Sequence, residues 1–225
     1  MKFVISLYGG NVAVGRFLLE VFYMTNLTKK QKNRRLAESA LMLALSTIFS
    51  ELAVFSLPFG GSVTLFSQVP IILISYRYGV KWGLTTGLAM SIIQLIFGIQ
   101  NFSYVSGMAA FLILAFCDYL IAFSALGLGG MFKGRIKNDI LAISLGGVVV
   151  SVIRFICHFI SGATIWKEYA EGAPVLEYSL TYNASYMLPE LIITVVGLVI
   201  LAGIFDLNSI ELKTKIKRKN KNKSK

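Results

Sequence analysis

The stretch "DILAISLGGVVVSVIRFICHFISGATIW", residues 139–166, decides the fold. It is an apolar run long enough to cross a membrane, interrupted only by Arg154 and by the chain's one histidine, His158. The rest of the chain has the same character. It is 56% hydrophobic with a mean hydropathy of +0.70, too apolar for a soluble domain of this length. Successive apolar stretches of about 20 residues mark membrane helices.

Six such segments follow residue 34, near 35–57, 63–79, 81–100, 104–131, 139–163 and 182–205. The second is short and carries Pro70, which predicts a kink or an interfacial start. The reading is an all-α integral membrane protein, a bundle of six transmembrane helices spanning 35–205. Lys29, Lys30, Lys32, Arg34 and Arg35 precede the first segment. Arg77 and Lys81 lie between the second and third, and Lys133, Arg135 and Lys137 between the fourth and fifth. The tail over 206–225 adds eight more basic residues. The alternate loops carry only Lys167 against Glu168, Glu171 and Glu177. Basic residues stay on the cytoplasmic side, so both termini are expected there.

The formal net charge of +11 sits in those short loops and the tail. That distribution suits cytoplasmic loops against lipid headgroups, and no nucleic-acid partner is expected. Cys117 and Cys157 lie inside apolar runs without metal-ligand spacing, so no metal, cofactor or disulfide framework is expected. Residues 1–34 read as a basic cytoplasmic lead-in. Within it residues 1–23, broken by Gly9, Gly10, Arg16 and Glu20, read as a surface helix or as untranslated sequence before Met24.

Charged groups at membrane depth are costly, so each one needs a reason. Glu51 and Glu190 lie near helix ends and can reach the interface. Asp118 is near the middle of the fourth segment and is followed by Tyr119. Arg154, His158 and Gly162 share one face of the fifth helix, with Trp166 at its outer boundary. Two readings stand. In one, an Asp118–Arg154 ion pair locks two helices, and Trp166 belongs to the aromatic belt. In the other, these groups form a ligand site together with Tyr169, Tyr178, Tyr182 and Asn183, which gather at the same outer mouth. A carboxylate, an imidazole, an amide and several aromatics suit an organic cation bearing a heteroaromatic ring. No zinc-protease motif, nucleophile elbow or metal set is present, and a Ser161–His158 pairing rests on spacing alone.

On the first helix, Ala37, Ala40, Ala44 and Thr47 form a stripe of small residues. Such stripes let helices approach closely in lipid, either inside the bundle or against another membrane protein.

The segments "LPFGGSVTL", "YRYGVKWGLTTGL", "CDYLIAF", "RFICHFISGATIW" and "YSLTYNASYM", in that order over residues 34–205, resemble the thiamine-specific substrate-binding subunit (S component) of energy-coupling factor transporters. The resemblance implies a six-helix bundle in the bacterial cell membrane that binds thiamine near its outer face. It implies partners as well: a shared module of one transmembrane coupling protein and two ATP-binding subunits. The docking element on helix 1 would be Ala40 and Ala44. Carried over residue by residue, the substrate contacts would be Asp118, Tyr119, Arg154, His158, Gly162, Trp166, Tyr178 and Asn183. Trp166 would stack on the ligand's rings, and Asp118 would face the aminopyrimidine or offset the thiazolium charge. Two departures stand out. Asp118 occupies a position where some relatives carry glutamate, and Phe59 takes the place of a tryptophan in the first loop, where it is expected as a lid aromatic.

Three rival readings make different predictions. An S component for another vitamin or for the pyrimidine precursor would change the ligand. An intramembrane enzyme using Asp118 and His158 as acid and base would form product without an ATPase. A proton-coupled carrier would collapse with the proton gradient. The acidic outer loop favours unphosphorylated ligand.

Overall fold

The computed structural model describes residues 27–170, 172–209 and 213–215. The expectations for residues 1–23 and for most of the tail, and the lid contact of the Phe59 side chain, lie outside the described residues. The chain divides into two compact units between Glu38 and Ser39.

Helix α1, Lys29–Glu51, opens on a reciprocal cap. The Thr28 backbone N–H donates to Gln31 Oε1 at 2.9 Å, and Gln31 N–H donates to Thr28 Oγ1 at 3.3 Å. The Arg34–Glu38 pair, at 2.9 Å, follows one turn later. In the second unit, α1 turns Ser39 and Ser46 inward and leaves Ala40 and Ala44 exposed. Ser46 Oγ donates to the Ser67 carbonyl. Ala37, in the first unit, is exposed too.

Four helices are long and apolar enough to cross a membrane: α3 (Val80–Phe97), α4 (Met108–Leu128), α5 (Asp139–Thr164) and α6 (Val175–Ile204). A shorter apolar helix, α2, covers Val69–Tyr78. Residues Val69 to Tyr76 of α2 are all buried, and Ile71, Ile72, Ile74 and Tyr76 have no exposed surface. At 1.5 Å per residue, ten residues span about 15 Å, roughly half the hydrocarbon thickness. This helix is therefore an inner element, packed against α3, α4, α5 and α6. Its start is set by Pro70 in the first turn, where a missing N–H costs nothing. Gly79, at φ +93°, breaks the chain between α2 and α3 in a conformation that favours glycine. Outward faces are apolar instead of polar: Leu88, Ile92 and Ile96 on α3, and Leu188, Ile192 and Val196 on α6, are exposed. In lipid that surface needs no cover.

The structure departs from the sequence reading in three places. Residues 52–57 do not continue the first span. They enter a hairpin of β1 (Ala53–Ser56) and β2 (Ser62–Thr64), paired Ala53 with Thr64 and Ser56 with Ser62 around a turn at Pro58–Gly60. Residues 63–68 are not helical either, because the Pro70 start excludes them. And α6 begins at Val175 rather than near 182, directly after Pro174.

Helix α4 is irregular. It is α-helical over Met108–Ile113, π-helical over Leu114–Ile121, and closes through Ala122–Ser124 and a 3-10 turn at Ala125–Leu128. Helix α5 is capped by Asn138, whose Oδ1 accepts from the N–H groups of Ile140 at 2.9 Å and Leu141 at 3.3 Å. It packs along α6, with Gly162 in the seam between them. A methyl group there would lie 2.3 Å from Ser179 Oγ.

Candidate functional site

Within the second unit, a cavity of about 750 Å³ opens between the β1–β2 hairpin, the end of α1, the α3–α4 connection and the faces of α4, α5 and α6. That volume falls in the range that encloses a small organic ligand. Among the described residues lining it, Glu51, Asp118 and Glu190 are the acids, and Arg154 is the one lysine or arginine.

Asp118 is the hub. The π-helical turn carries it, and such turns redirect side chains at working sites. Its Oδ1 lies 3.0 Å from His158 Nδ1. Its Oδ2 accepts from Ser161 Oγ at 2.6 Å and from Trp166 Nε1 at 3.2 Å. A carboxylate only accepts, so the His158 proton belongs on Nδ1, and in the neutral ring Nε2 is left as an acceptor. The imidazole and carboxylate side chains are 13% and 14% exposed, which makes this a largely dry corner of the cavity. Ser161 donates to Asp118 and not to His158, so the three do not form a nucleophile–base pair.

Aromatic rings flank this corner. Trp166 lies beside Tyr169, with centroids 5.7 Å apart, and Tyr104, at 6.3 Å. Tyr119 is buried. Its hydroxyl accepts from Asn101 Nδ2 at 2.8 Å and donates to the Gly98 carbonyl at 3.1 Å, while its ring lies parallel to that of Phe102. Along α6, Tyr178 and Tyr182 stack at 5.8 Å, Tyr186 meets Tyr182 edge-on, and Tyr186 also meets the His158 ring at 6.4 Å. The Tyr182 hydroxyl ties down the hairpin turn: it accepts from Gly61 N–H at 3.2 Å and donates to the Pro58 carbonyl.

Asn183 is buried behind these rings. Its Nδ2 donates to the Ser179 carbonyl at 2.8 Å and its Oδ1 accepts from the Tyr186 hydroxyl at 2.8 Å. Gly162 lines the cavity, but the space a side chain would take there is filled by Ser179 and Asn183. The structure therefore brings Asp118, Tyr119, Arg154, His158, Gly162, Trp166, Tyr178 and Asn183 to one cavity. Ala37, Ala40 and Ala44 lie elsewhere, on exposed helix surface.

Arg154 does not pair with Asp118. Its Nη1 is 3.2 Å from Glu190 Oε2 across the α5–α6 seam. The guanidinium rests on the Phe123 ring of α4, 4.9 Å from its centroid. Glu190 does not reach the interface either; it is 4% exposed. Thr64 Oγ1 donates to Glu190 Oε1 at 2.5 Å, backed by the Ser67 hydroxyl 2.6 Å from Thr64 Oγ1. Burial decides both corrections: a glutamate this deep needs a cation and donors, and Arg154 and Thr64 supply them. Sequence carried a signal for Glu190. Asn183, Tyr186 and Glu190 recur at three- and four-residue spacing on one face of α6, and all three are buried.

Three comparisons relate the chain to known proteins. The family model "Thiamine transporter protein" matches residues 36–207. Thiamine transporter ThiT of Bacillus subtilis is 37% identical over 179 residues, covering 74% of this chain and 89% of that protein. The solved structure of ThiT from Listeria monocytogenes superposes with a TM-score of 0.63, covering 76% of this chain and 94% of that one; at 19% identity it bears on the fold alone. With its four membrane-length apolar helices, this is a multi-pass membrane protein. It belongs to the thiamine transporter family.

Proposed function

We propose that this chain is the thiamine-binding S component of an energy-coupling factor importer in a bacterial cell membrane. It would cross the membrane six times with both termini cytoplasmic, and take energy from two ATP-binding subunits through a transmembrane coupling protein. The observation that carries the ligand assignment is the corner at Asp118. A carboxylate, an imidazole nitrogen free to accept and an indole face lie together on the wall of a cavity with more acids than bases. Thiamine offers the complement: an exocyclic amine that donates, a flat pyrimidine, and a permanently cationic thiazolium.

In this reading Trp166 stacks on the ligand, and Asp118 and His158 take its amine or its charge. Tyr178 completes the aromatic wall, while Tyr119, Gly162 and Asn183 shape the cavity by holding neighbouring elements. Phe59 is proposed as the lid aromatic on the hairpin turn. The exposed Ala40 and Ala44, with Ala37 before them, support a docking face on α1 for the coupling protein, since they are not used within the second unit's own packing. Orientation is supported by the basic loops at 77–81 and 133–137.

The experiment is a fluorescence titration of purified protein with thiamine, its pyrimidine precursor, thiamine monophosphate and riboflavin. Thiamine should quench saturably, and the quench should vanish in Trp166→Phe. The other tryptophan, Trp82, donates to Ser39 Oγ at 2.9 Å and is not among the cavity residues. Quenching by riboflavin or by the precursor alone moves the assignment to that ligand. No response to any of the four refutes it.

A further inference from the structure

Arg154 has two acids it could serve. It lies one helical turn from His158, whose ring touches Asp118 at 3.0 Å. Its guanidinium packs on Phe123, five residues along α4 from Asp118 itself. Yet its charge goes to Glu190, while Asp118 receives hydrogen bonds from an imidazole, a hydroxyl and an indole. Those three donors orient the carboxylate without the guanidinium's fixed positive charge. Arg154 is 5% exposed and its Nε has no hydrogen-bond partner, so the guanidinium is held by Glu190 and the Phe123 face rather than by a full set of acceptors. Glu190 in turn is fixed from the other side by Thr64 and Ser67.

We propose that Glu190 is a positioning residue for ligand binding: by holding Arg154, it keeps the cavity's arginine off Asp118, so that the Asp118 carboxylate stays available to a cationic ligand. This rests on the thiamine-binding reading above. The physical argument is competition for one buried cation. A buried arginine that loses its carboxylate is left with an uncompensated charge, and the remedy is another carboxylate lining the same cavity. Here that is Asp118, held by His158 a single turn away. Once Arg154 sits there, it both occupies the acceptor the ligand needs and repels the ligand's positive charge.

The test is a set of thiamine affinities, with thermal unfolding in detergent to check folding. Glu190→Gln should weaken thiamine binding tenfold or more. Adding Arg154→Gln to that variant should recover at least tenfold, because the released cation is gone. Glu190→Asp, which keeps the charge, should lose less than Glu190→Gln. If Glu190→Gln stays within twofold of the parent, or if the double variant binds as weakly as Glu190→Gln alone, the inference falls and Glu190 is merely structural. Should Glu190→Gln not fold by itself, the double variant carries the test. It should bind thiamine more tightly than Asp118→Asn, and binding no better than that variant overturns the proposal. A parent protein that does not bind thiamine at all refutes the functional reading instead, which is a separate outcome.

Discussion

Asp118→Asn changes one atom and two things at once. The charge goes, and so does the all-acceptor character that organises the corner. Two charges about 4 Å apart at an effective dielectric near 20 interact by about 4 kcal/mol. Desolvation of the ligand takes back part of this, so about 2–3 kcal/mol is a reasonable net loss, or about 30- to 150-fold in Kd. The second change follows from the hydrogen bonds. Trp166 Nε1–H can only donate, so the asparagine oxygen must face Trp166 and Ser161, and its amide then points at His158 Nδ1. His158 must answer by moving its proton to Nε2. The acceptor offered to a ligand amine becomes a donor, which adds about 1–3 kcal/mol if the mismatch stays dry. The assay is isothermal titration of thiamine into the parent, Asp118→Asn, His158→Ala and the double variant. His158→Ala should cost less in the asparagine background than in the parent, since the tautomer it removes is already wrong. A loss below threefold for Asp118→Asn, or strictly additive losses, would refute the argument.

Other parts of the structure make separate predictions. Gly162→Ala drives a methyl against Ser179 Oγ where α5 and α6 touch; overpacking of this kind costs about 1–3 kcal/mol, and the melting temperature in detergent should fall. Thr64→Val leaves a buried oxygen of Glu190 with only Ser67 Oγ, at 3.4 Å, and should cost about 1–3 kcal/mol, while Thr64→Ser should retain most of the stability. Tyr182→Phe frees the hairpin turn from α6, so stopped-flow should show thiamine leaving severalfold faster with little change in its association rate; an unchanged dissociation rate would mean the turn is held by other contacts.

The long apolar elements were readable because lipid imposes one demand on them, an unbroken apolar run. Helix α5 is the clearest case: Asn138 caps it, its polar side chains are few, and Ser151, Arg154 and Ser161 among them are buried. The hairpin was hidden by the same logic. "LAVFSLPFGGSVT" is apolar enough to pass for the end of a span, and its strands are only four and three residues long. Site residues were readable one at a time, as charges at membrane depth that demand a reason. Their partners were not. Arg154 could have met Asp118 or Glu190, and the choice depends on how α5, α6 and the segment after β2 come together, which residue spacing does not encode. Glu190 reads as peripheral if the helix is taken to start near 182; the start at Val175 sets it about four turns in.

The π-helical turn at Leu114–Ile121 has a consequence for anyone altering or aligning this stretch. A wider turn holds one residue more than an ordinary helix does over the same rise. Removing a single residue there would let the segment relax into regular geometry with little loss of length. It would also rotate everything on one side of the deletion by about 100° relative to the other. Chains that differ here by a one-residue gap would thus share a backbone path yet present different side chains to the cavity, and a gap-free alignment through α4 would match the wrong residue to Asp118.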